Sequence, residues 1–265
     1  MLHRGMVRVM VRDAKRAFGR TKIPNAKYVL NPYIGCLHGC KYCYVQALAK
    51  RFGWGYGEWG SWVVVRRNLP KLVKGKSLND WILVSSLSDS YQPIERRFKL
   101  TRRVFDAIFH NNMLRILTKS DLILRDLDVL RKFRDVEIGL TVNSFDEGLR
   151  RILEPRAVSM ERRFNALKTI KDEGFRCFGF VSPVIPYLSD VEAVLNELKG
   201  ITDYVIVEII NPCVGDFLRW LRDEYPKSYE VVIDRDRFWS FKMNLKKLVD
   251  RLGVKSEVYG RLWSI

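Results

Sequence analysis

Three cysteines lie close together near the start of the chain. Cys36, Cys40 and Cys43 fall within the segment NPYIGCLHGCKYCYVQ, residues 31–46 of a 265-residue sequence that has five cysteines in all. An odd count with three clustered members differs from the paired cysteines of a secreted disulfide framework. The spacing therefore indicates thiolate ligands for a metal centre.

Two kinds of metal centre could use the thiolates of this loop: a zinc ion or an iron–sulfur cluster. A structural zinc needs four ligands, and the nearest fourth candidate, His38, lies inside the loop and is poorly spaced to close a tetrahedron. A cubane iron–sulfur cluster fits better, because three thiolates would leave one of its irons open. An open iron is a substrate site, so the absence of a nearby fourth cysteine favours a cluster to which a substrate binds.

The elements that must position this loop are predicted to be parallel βα units. Short, largely continuous apolar runs alternate with amphipathic stretches, as in strands buried on both faces. The predicted strands are 27–34, 81–86, 114–119, 136–142, 175–181 and 203–210, and the predicted helices include 101–112, 159–174 and 189–200. Six such units predict an α/β fold, wound as an open sheet or as part of a barrel, with chemistry at the carboxyl ends of the strands.

Composition predicts one domain over residues 1–265. Hydrophobic residues make up 47% of the sequence, which is enough for a single core, and no apolar run reaches about 18 residues. The first 20 residues are too basic for a signal peptide, so we expect a soluble, cytoplasmic protein that does not enter a membrane. Within the domain we expect a core over about 28–215, a Gly- and aromatic-rich loop at 51–62, and a helical extension at 216–265.

Charge favours a polyanionic partner. The sequence carries 47 Lys and Arg against 30 Asp and Glu, a net charge of +17. Nucleic acid is the most abundant intracellular polyanion, although an anionic small molecule or a heat-adapted basic surface would also fit. The aromatic residues of the 51–62 loop would either stack bases or cap the core; they are Trp54, Tyr56, Trp59 and Trp62.

The C-x3-C-x2-C loop, with Tyr42 before its third cysteine, resembles the signature of the radical S-adenosylmethionine (SAM) enzymes. The segments 85–102, 117–121, 140–163 and 180–190 resemble the spore photoproduct lyase-like branch, often labelled DNA repair photolyases. The resemblance covers roughly residues 28–215 and implies a partial (β/α)6 barrel. It also implies a [4Fe–4S] cluster on the three cysteines, SAM at the fourth iron, and an electron donor such as ferredoxin or flavodoxin. The 5′-deoxyadenosyl radical made in such enzymes abstracts hydrogen from a substrate, the cofactors supplying the hard chemistry.

The same resemblance implies roles for residues outside the three cysteines. Tyr42 and Tyr44, which flank Cys43, would lie near SAM and take part in radical relay. Contacts to the bound cofactor are implied for five further residues: Ser88, Asp89, Lys119, Thr141 and Asn143.

One position departs from the branch. The lyases have a hydrogen-donating cysteine in a Ser-Cys-Thr-Ser-Asp stretch, and this chain has Ser86 at that place, in Ser-Ser-Leu-Ser-Asp. An alcohol O–H bond is much stronger than a thiol S–H bond, so Ser86 is a poor hydrogen donor. We therefore expect a reaction other than that of the lyases proper. Cys213 is a hypothetical hydrogen donor or site of a covalent adduct during turnover, and Cys177 is expected to be a core residue.

The substrate and two other protein classes stay open at this point. DNA lesion repair, RNA base modification, and action on a peptide or metabolite all suit the loop. A zinc-dependent nucleic-acid-binding module would explain the charge but not six βα units. A ferredoxin-like electron carrier would need a fourth cysteine near the first three.

Overall fold

Strands and helices alternate along the chain in a computed structural model, which describes residues 7–54, 56–143, 146–211 and 214–260. Its strands are β1 (Arg8–Arg12), β2 (Phe18–Arg20), β3 (Tyr28–Leu30), β4 (Tyr33–Ile34), β5 (Trp62–Arg66), β6 (Trp81–Val84), β7 (Met113–Thr118), β8 (Asp135–Thr141), β9 (Arg176–Val184), β10 (Tyr204–Ile209) and β11 (Ser256–Tyr259). Its helices are α1 (Val45–Arg51), α2 (Leu69–Val73), α3 (Glu95–Phe98), α4 (Leu100–Ala107), α5 (Leu127–Leu130), α6 (Glu147–Leu153), α7 (Met160–Asp172), α8 (Val191–Leu198), α9 (Gly215–Glu224), α10 (Pro226–Ile233) and α11 (Arg235–Arg251), with a 3-10 helix at Asp121–Asp126.

Contacts between residues group the chain into two compact units. The first takes residues 7–39, 49–139 and 156–158. In it β3, β6 and β7 run parallel in that order and β2 joins β3 antiparallel. A second, three-stranded sheet has β5 between β1 and β4. Helices α2 and α4 pack together in this unit.

The second unit takes residues 40–48, 140–155 and 159–260. Strand β10 lies between β9 and β11, and both pairs are parallel. Helices α7 and α8 pack against β9, and α9, α10 and α11 follow one another along the C-terminal part. A parallel strand buried on both faces needs a helix on each side of the sheet, which explains the long apolar run of β9.

Five of the six predicted strands are confirmed to within three residues at each end. The first, predicted over 27–34, is wrong as one strand, because it breaks into β3 and β4, which lie in different sheets. Asn31 and Pro32 separate the two pieces, and proline has no N–H for a ladder bond. The break turns the chain just before the cysteines.

The predicted loop 51–62 is wrong at both ends. Arg51 is the last residue of α1, and Trp62 begins β5, whose sequence WVVVR is rich in β-branched residues. Trp62 is 1% exposed and packs among the aromatics of the loop, so base stacking by this residue is excluded. The loop caps a core that contains Trp62, and the half-buried Trp54, Tyr56 and Trp59 all pack against it.

The predicted helices are confirmed in place and shortened in extent. Ser159 caps α7 by accepting a hydrogen bond from the Arg162 N–H, a contact of the kind that stabilises a helix by about 1 kcal/mol. Helix α4 ends at Ala107 rather than Asn112, because Ile108 is extended and bridges to Lys74. The C-terminal extension contains three helices and also β11, which pairs with β10.

No helix within the described ranges has the length and apolar character needed to span a bilayer.

Candidate active site

The first part of the cysteine loop belongs to the first unit. Gly35 donates its N–H to the Leu87 carbonyl at 3.1 Å, and the side chain of Gln92 bridges the Leu37 N–H and the Gly35 carbonyl. Gly35 has a φ of +81°, and a Cβ there would lie 2.4 Å from the Trp62 ring. Only glycine fits this position, so the buried Trp62 fixes where the chain enters Cys36, which is itself buried.

Asp89 organises the carboxyl ends of β6 and β7. Its carboxylate accepts hydrogen bonds from Thr118 Oγ1 at 2.7 Å and from the N–H groups of Lys119 and Tyr91, each at 2.8 Å. The Nε2 atom of His38 lies 3.3 Å from its Oδ2. Burial opposes ionisation of Asp89, but these donors outweigh it and lower its pKa to about 2. Asp89 thus holds the loop residue His38 and the backbone at Lys119, whose side chain is half-buried.

Arg156 fastens the same stretch of loop from another direction. Its Nη1 donates to the carbonyls of Leu37 and Gly60, and its N–H bonds to the His38 carbonyl at 3.3 Å. A Cβ at Gly60 would lie 2.7 Å from the Gly39 Cα, so the two backbones touch. Residues 37–39 are therefore held by hydrogen bonds from Arg156 and by close packing of Gly39 against the Gly60 backbone.

The position that departs from the lyases is also tightly held. Asn31 accepts the N–H groups of Ser86 and Leu87 through Oδ1, at 2.7 and 3.1 Å, and its Nδ2 lies 3.4 Å from Ser86 Oγ. Ser85 has a φ of +72°, a strained conformation of a kind that clusters at functional sites. Ser88, predicted to contact the cofactor, is half-buried and donates its hydroxyl to the Tyr33 carbonyl at 3.1 Å.

The remainder of the cysteine loop belongs to the second unit. Gln46 Nε2 donates to the carbonyls of Cys40 and Lys41, both at 2.9 Å, and the Cys43 N–H donates to the Cys40 carbonyl. Cys40 is buried and Cys43 is half-buried. The Lys41 N–H donates to the Leu153 carbonyl at the end of α6, which ties the loop to that helix.

Tyr42 is fastened to a buried charge network. Its hydroxyl donates to Glu154 Oε1, and the other oxygen of Glu154 pairs with Arg163 Nη2, both side chains of the pair being wholly buried. Burial and the Glu154 charge raise the pKa of Tyr42 well above its usual value. Burial disfavours the Arg163 cation, but Glu154 keeps its pKa above the usual value. Tyr42 is consequently a neutral hydrogen-bond donor, and Asn143 Nδ2 donates to the same carboxylate at 2.8 Å.

Asn143 also carries a buried acceptor without a partner. Its side chain is 2% exposed, and among the described residues its Oδ1 has no hydrogen-bond donor. Because the neighbouring Nδ2 bonds to a carboxylate, the orientation of the amide is fixed. A buried carbonyl oxygen without a donor is a suitable contact for a bound ligand. Thr141, predicted with it, is buried, and its carbonyl accepts Arg163 Nη1 at 3.0 Å.

The remaining predicted residues differ in environment. Tyr44 is 44% exposed just before α1. Cys177 is confirmed as a core residue of β9, where burial and the Asp203 charge raise its pKa to about 11. Cys213 lies outside the described residues.

Glu154 and Arg163, which hold Tyr42, were not predicted from the sequence. A usable signal was present for Arg163, since the buried positions of α7 are 163, 166, 167 and 170. An arginine at an apolar-face position of an amphipathic helix indicates a buried ion pair. Nothing comparable in the sequence identified Glu154 as its partner.

The donor set suits an iron–sulfur cluster. Cys36, Cys40 and Cys43 carry thiols rather than disulfides. In the described part of the chain, no three His, Cys, Asp or Glu side chains are grouped to hold one metal ion. Each iron of a cubane takes its own thiolate, so cluster ligands need not converge on a single point. Three thiols within eight residues of the chain are therefore the type of donor that an iron–sulfur cluster takes.

Comparison with known proteins agrees with this fit. The sequence profile of the radical SAM superfamily matches residues 30–198. The chain is 46% identical to an uncharacterised protein of Methanocaldococcus jannaschii over 85% of this chain and 86% of that protein. It is 27% identical to an uncharacterised protein of Acidianus two-tailed virus over 89% of this chain and 82% of the other.

A solved structure shares the fold. Spore photoproduct lyase complexed with a dinucleoside spore photoproduct superposes with a TM-score of 0.67 at 16% identity, covering 96% of this chain and 82% of the lyase. The prediction of an α/β fold with parallel strands, of the type found in that lyase, is confirmed.

Proposed function

The chain belongs to the radical SAM superfamily, and from that premise we propose that it binds a [4Fe–4S] cluster and SAM and modifies a nucleic acid. Cys36, Cys40 and Cys43 would ligate the cluster. The chemistry that such a cluster supplies when bound is one-electron cleavage of SAM to a 5′-deoxyadenosyl radical, which takes a hydrogen atom from the substrate. The observation that carries the proposal is the thiol loop, whose residue Tyr42 is locked to a buried carboxylate.

The chain's own residues would orient the cosubstrate and exclude water. Tyr42, neutral and fixed by Glu154, offers its ring beside the third cysteine. Asn143 offers its unpartnered oxygen as an acceptor for an N–H or O–H group, since the atom is already desolvated. Lys119 offers a cation to a carboxylate, and Asp89 fixes the backbone that carries it. Roles for Ser88, Thr141 and Tyr44 belong to the same proposal.

A nucleic-acid substrate is supported by charge and by the shared fold. A net charge of +17 favours a polyanion, and the lyase of the same fold was solved with a dinucleoside lesion. Repair of a DNA lesion and modification of an RNA base both meet these conditions. Because Ser86 stands where the lyases have their donor cysteine, the fate of the substrate radical would differ from theirs, and Cys213 is the proposed alternative donor.

An external reductant completes the proposal. Radical SAM enzymes need one electron for each cleavage, and a ferredoxin or flavodoxin in the cytoplasm would supply it.

The experiment is reductive cleavage of SAM by anaerobically reconstituted protein with dithionite. We expect 5′-deoxyadenosine from the wild type and from Cys177→Ala, and a loss of at least about 100-fold in Cys40→Ala, because a cluster that lacks a ligand is not retained. Equal turnover by Cys40→Ala and Cys177→Ala would contradict the proposed function.

A further inference from the structure

A cavity of about 430 Å³ opens in the first unit, between the segment 12–19 and the three-stranded sheet. The lining residues that bear on its chemistry are Arg12, Lys15, Arg16, Arg66, Trp54 and Tyr56. It is separate from the thiols themselves. Its wall includes Asn31 and Ile34, on the segment that leads into Cys36.

The cavity is strongly positive. Among the described residues none of its four cations has a carboxylate within ion-pair distance. Its acidic member, Asp13, accepts two hydrogen bonds from Arg67, at 2.9 and 3.1 Å, so that charge is already neutralised. Arg66 is half-buried, and among the described residues its guanidinium donates to the carbonyls of Asn31 and Arg16. A desolvated guanidinium satisfied by neutral carbonyls retains its full attraction for an anion.

Aromatic rings border the same cavity. The ring of Tyr56 lies beneath two guanidinium groups, 5.0 Å from Arg12 and 5.6 Å from Arg8. Trp54 stacks on Phe52 with ring centroids 5.1 Å apart and planes 25° apart. Phe52 is 54% exposed, and the Arg51 guanidinium lies 5.8 Å from the centre of its ring, so this aromatic pair meets solvent next to a cation. Exposed aromatic platforms next to a cationic groove are the means by which single strands are bound.

The cavity also borders the chain that leads into the thiol loop. Asn31, which lines it, holds the N–H groups of Ser86 and Leu87, and Leu87 in turn accepts the Gly35 N–H. Ser86 occupies the place of the lyase hydrogen donor. A ligand in the cavity would therefore touch the residue that positions both Ser86 and the entry to the loop.

We propose that this cavity binds one nucleotide unit of a single-stranded nucleic acid, with a phosphate on the four cations and a base on the Trp54–Phe52 pair. The inference rests on the proposed function and adds to it the form of the substrate. A cavity of this volume accommodates a single nucleotide, whereas a duplex keeps its bases stacked away from aromatic side chains. The cavity volume and the aromatic pair therefore both favour a base that is single-stranded or displaced from a duplex.

The test is fluorescence anisotropy of a labelled 12-nucleotide single strand, as DNA and as RNA, titrated with purified protein at several salt concentrations. Loss of one phosphate contact lowers the slope of log Kd against log salt by about 0.7 for a single strand. We expect that change in Lys15→Gln and no change in Lys71→Gln, an exposed lysine on α2 that removes the same charge. We expect Phe52→Ala to weaken binding about tenfold and Phe109→Ala, a 53% exposed phenylalanine, to leave it unaltered.

Several results would overturn the inference. The first is that Lys15→Gln and Lys71→Gln, or Phe52→Ala and Phe109→Ala, change strand binding equally. The others are that a duplex binds more tightly than either single strand, or that polyglutamate of matched charge competes as well as the strand does. Failure of the proposed function gives a different result. Wild-type protein that binds the strand but does not cleave SAM supports the cavity and contradicts the radical chemistry, whereas cleavage without strand binding overturns the cavity alone.

Discussion

Two buried carboxylates, one in each unit, hold residues of the cysteine loop by different electrostatics. Asp89 in the first unit accepts backbone N–H groups and a threonine hydroxyl, and His38 Nε2 lies 3.3 Å from its carboxylate. Glu154 in the second unit is paired with the wholly buried cation Arg163 and also accepts Tyr42 and Asn143. Asp89 is thus kept ionised by several groups, His38 first among them, whereas Glu154 pairs with one full opposite charge.

This difference predicts how each carboxylate responds when one of its partners is substituted. The groups that favour ionised Asp89 are spread over several residues, so removing one leaves Asp89 largely satisfied. A buried ion pair depends on one opposite charge, and removing Arg163 leaves the Glu154 charge in the core with the neutral donors Tyr42 and Asn143. The second unit should therefore be more sensitive to a single substitution than the first.

The largest effect is expected for Arg163→Met. It leaves Glu154 buried without its cation and should reduce the free energy of unfolding by about 3–5 kcal/mol. Urea denaturation measures this loss. The exposed neighbour Arg162→Met is the matched control, expected within about 0.5 kcal/mol of wild type. Adding Glu154→Gln to Arg163→Met should recover part of the loss, and a further loss in the double variant would contradict the account.

An intermediate effect is expected for Asp89→Asn. The folded-state pKa of about 2 lies below the value of about 4 in an unfolded chain, so ionised Asp89 stabilises the fold by about 2 kcal/mol above pH 4. This contribution is lost as pH falls from about 4 to about 2. Urea denaturation at stepped pH should show the variant less stable at pH 7 and converging on wild type in acid. Asp106→Asn, an exposed aspartate on α4, should differ little at any pH.

The smallest of the three effects is expected for Tyr42→Phe. This substitution removes a hydrogen bond to the buried Glu154 carboxylate, which retains its contacts with Arg163 and Asn143. The free energy of unfolding should therefore fall by about 1.5 kcal/mol. Tyr44→Phe makes the same chemical change on a ring that is 44% exposed and should cost less than about 0.5 kcal/mol. Equal costs would show that Tyr42 is not held through its hydroxyl.

How much of the fold and of the candidate site can be predicted from the sequence depends on how far apart the interacting residues lie along the chain. The parallel strands were evident because an apolar run such as 203–210 is a local pattern, and the thiol loop because its spacing is local. The split of the first strand followed from Asn31 and Pro32 but needed the partner strands to be known. The two carboxylate networks were not predictable, because Glu154 lies 112 positions from Tyr42 and Asp89 lies 29 from Thr118. Such pairings depend on tertiary folding.

The central claim is that the three thiols of this loop ligate an iron–sulfur cluster, and iron content after anaerobic reconstitution tests it most directly. We predict about four irons per chain in wild type and in Cys177→Ala, and less than about one in Cys36→Ala. A wild-type chain that takes up a single zinc, or a Cys36→Ala variant that keeps all four irons, would contradict the claim.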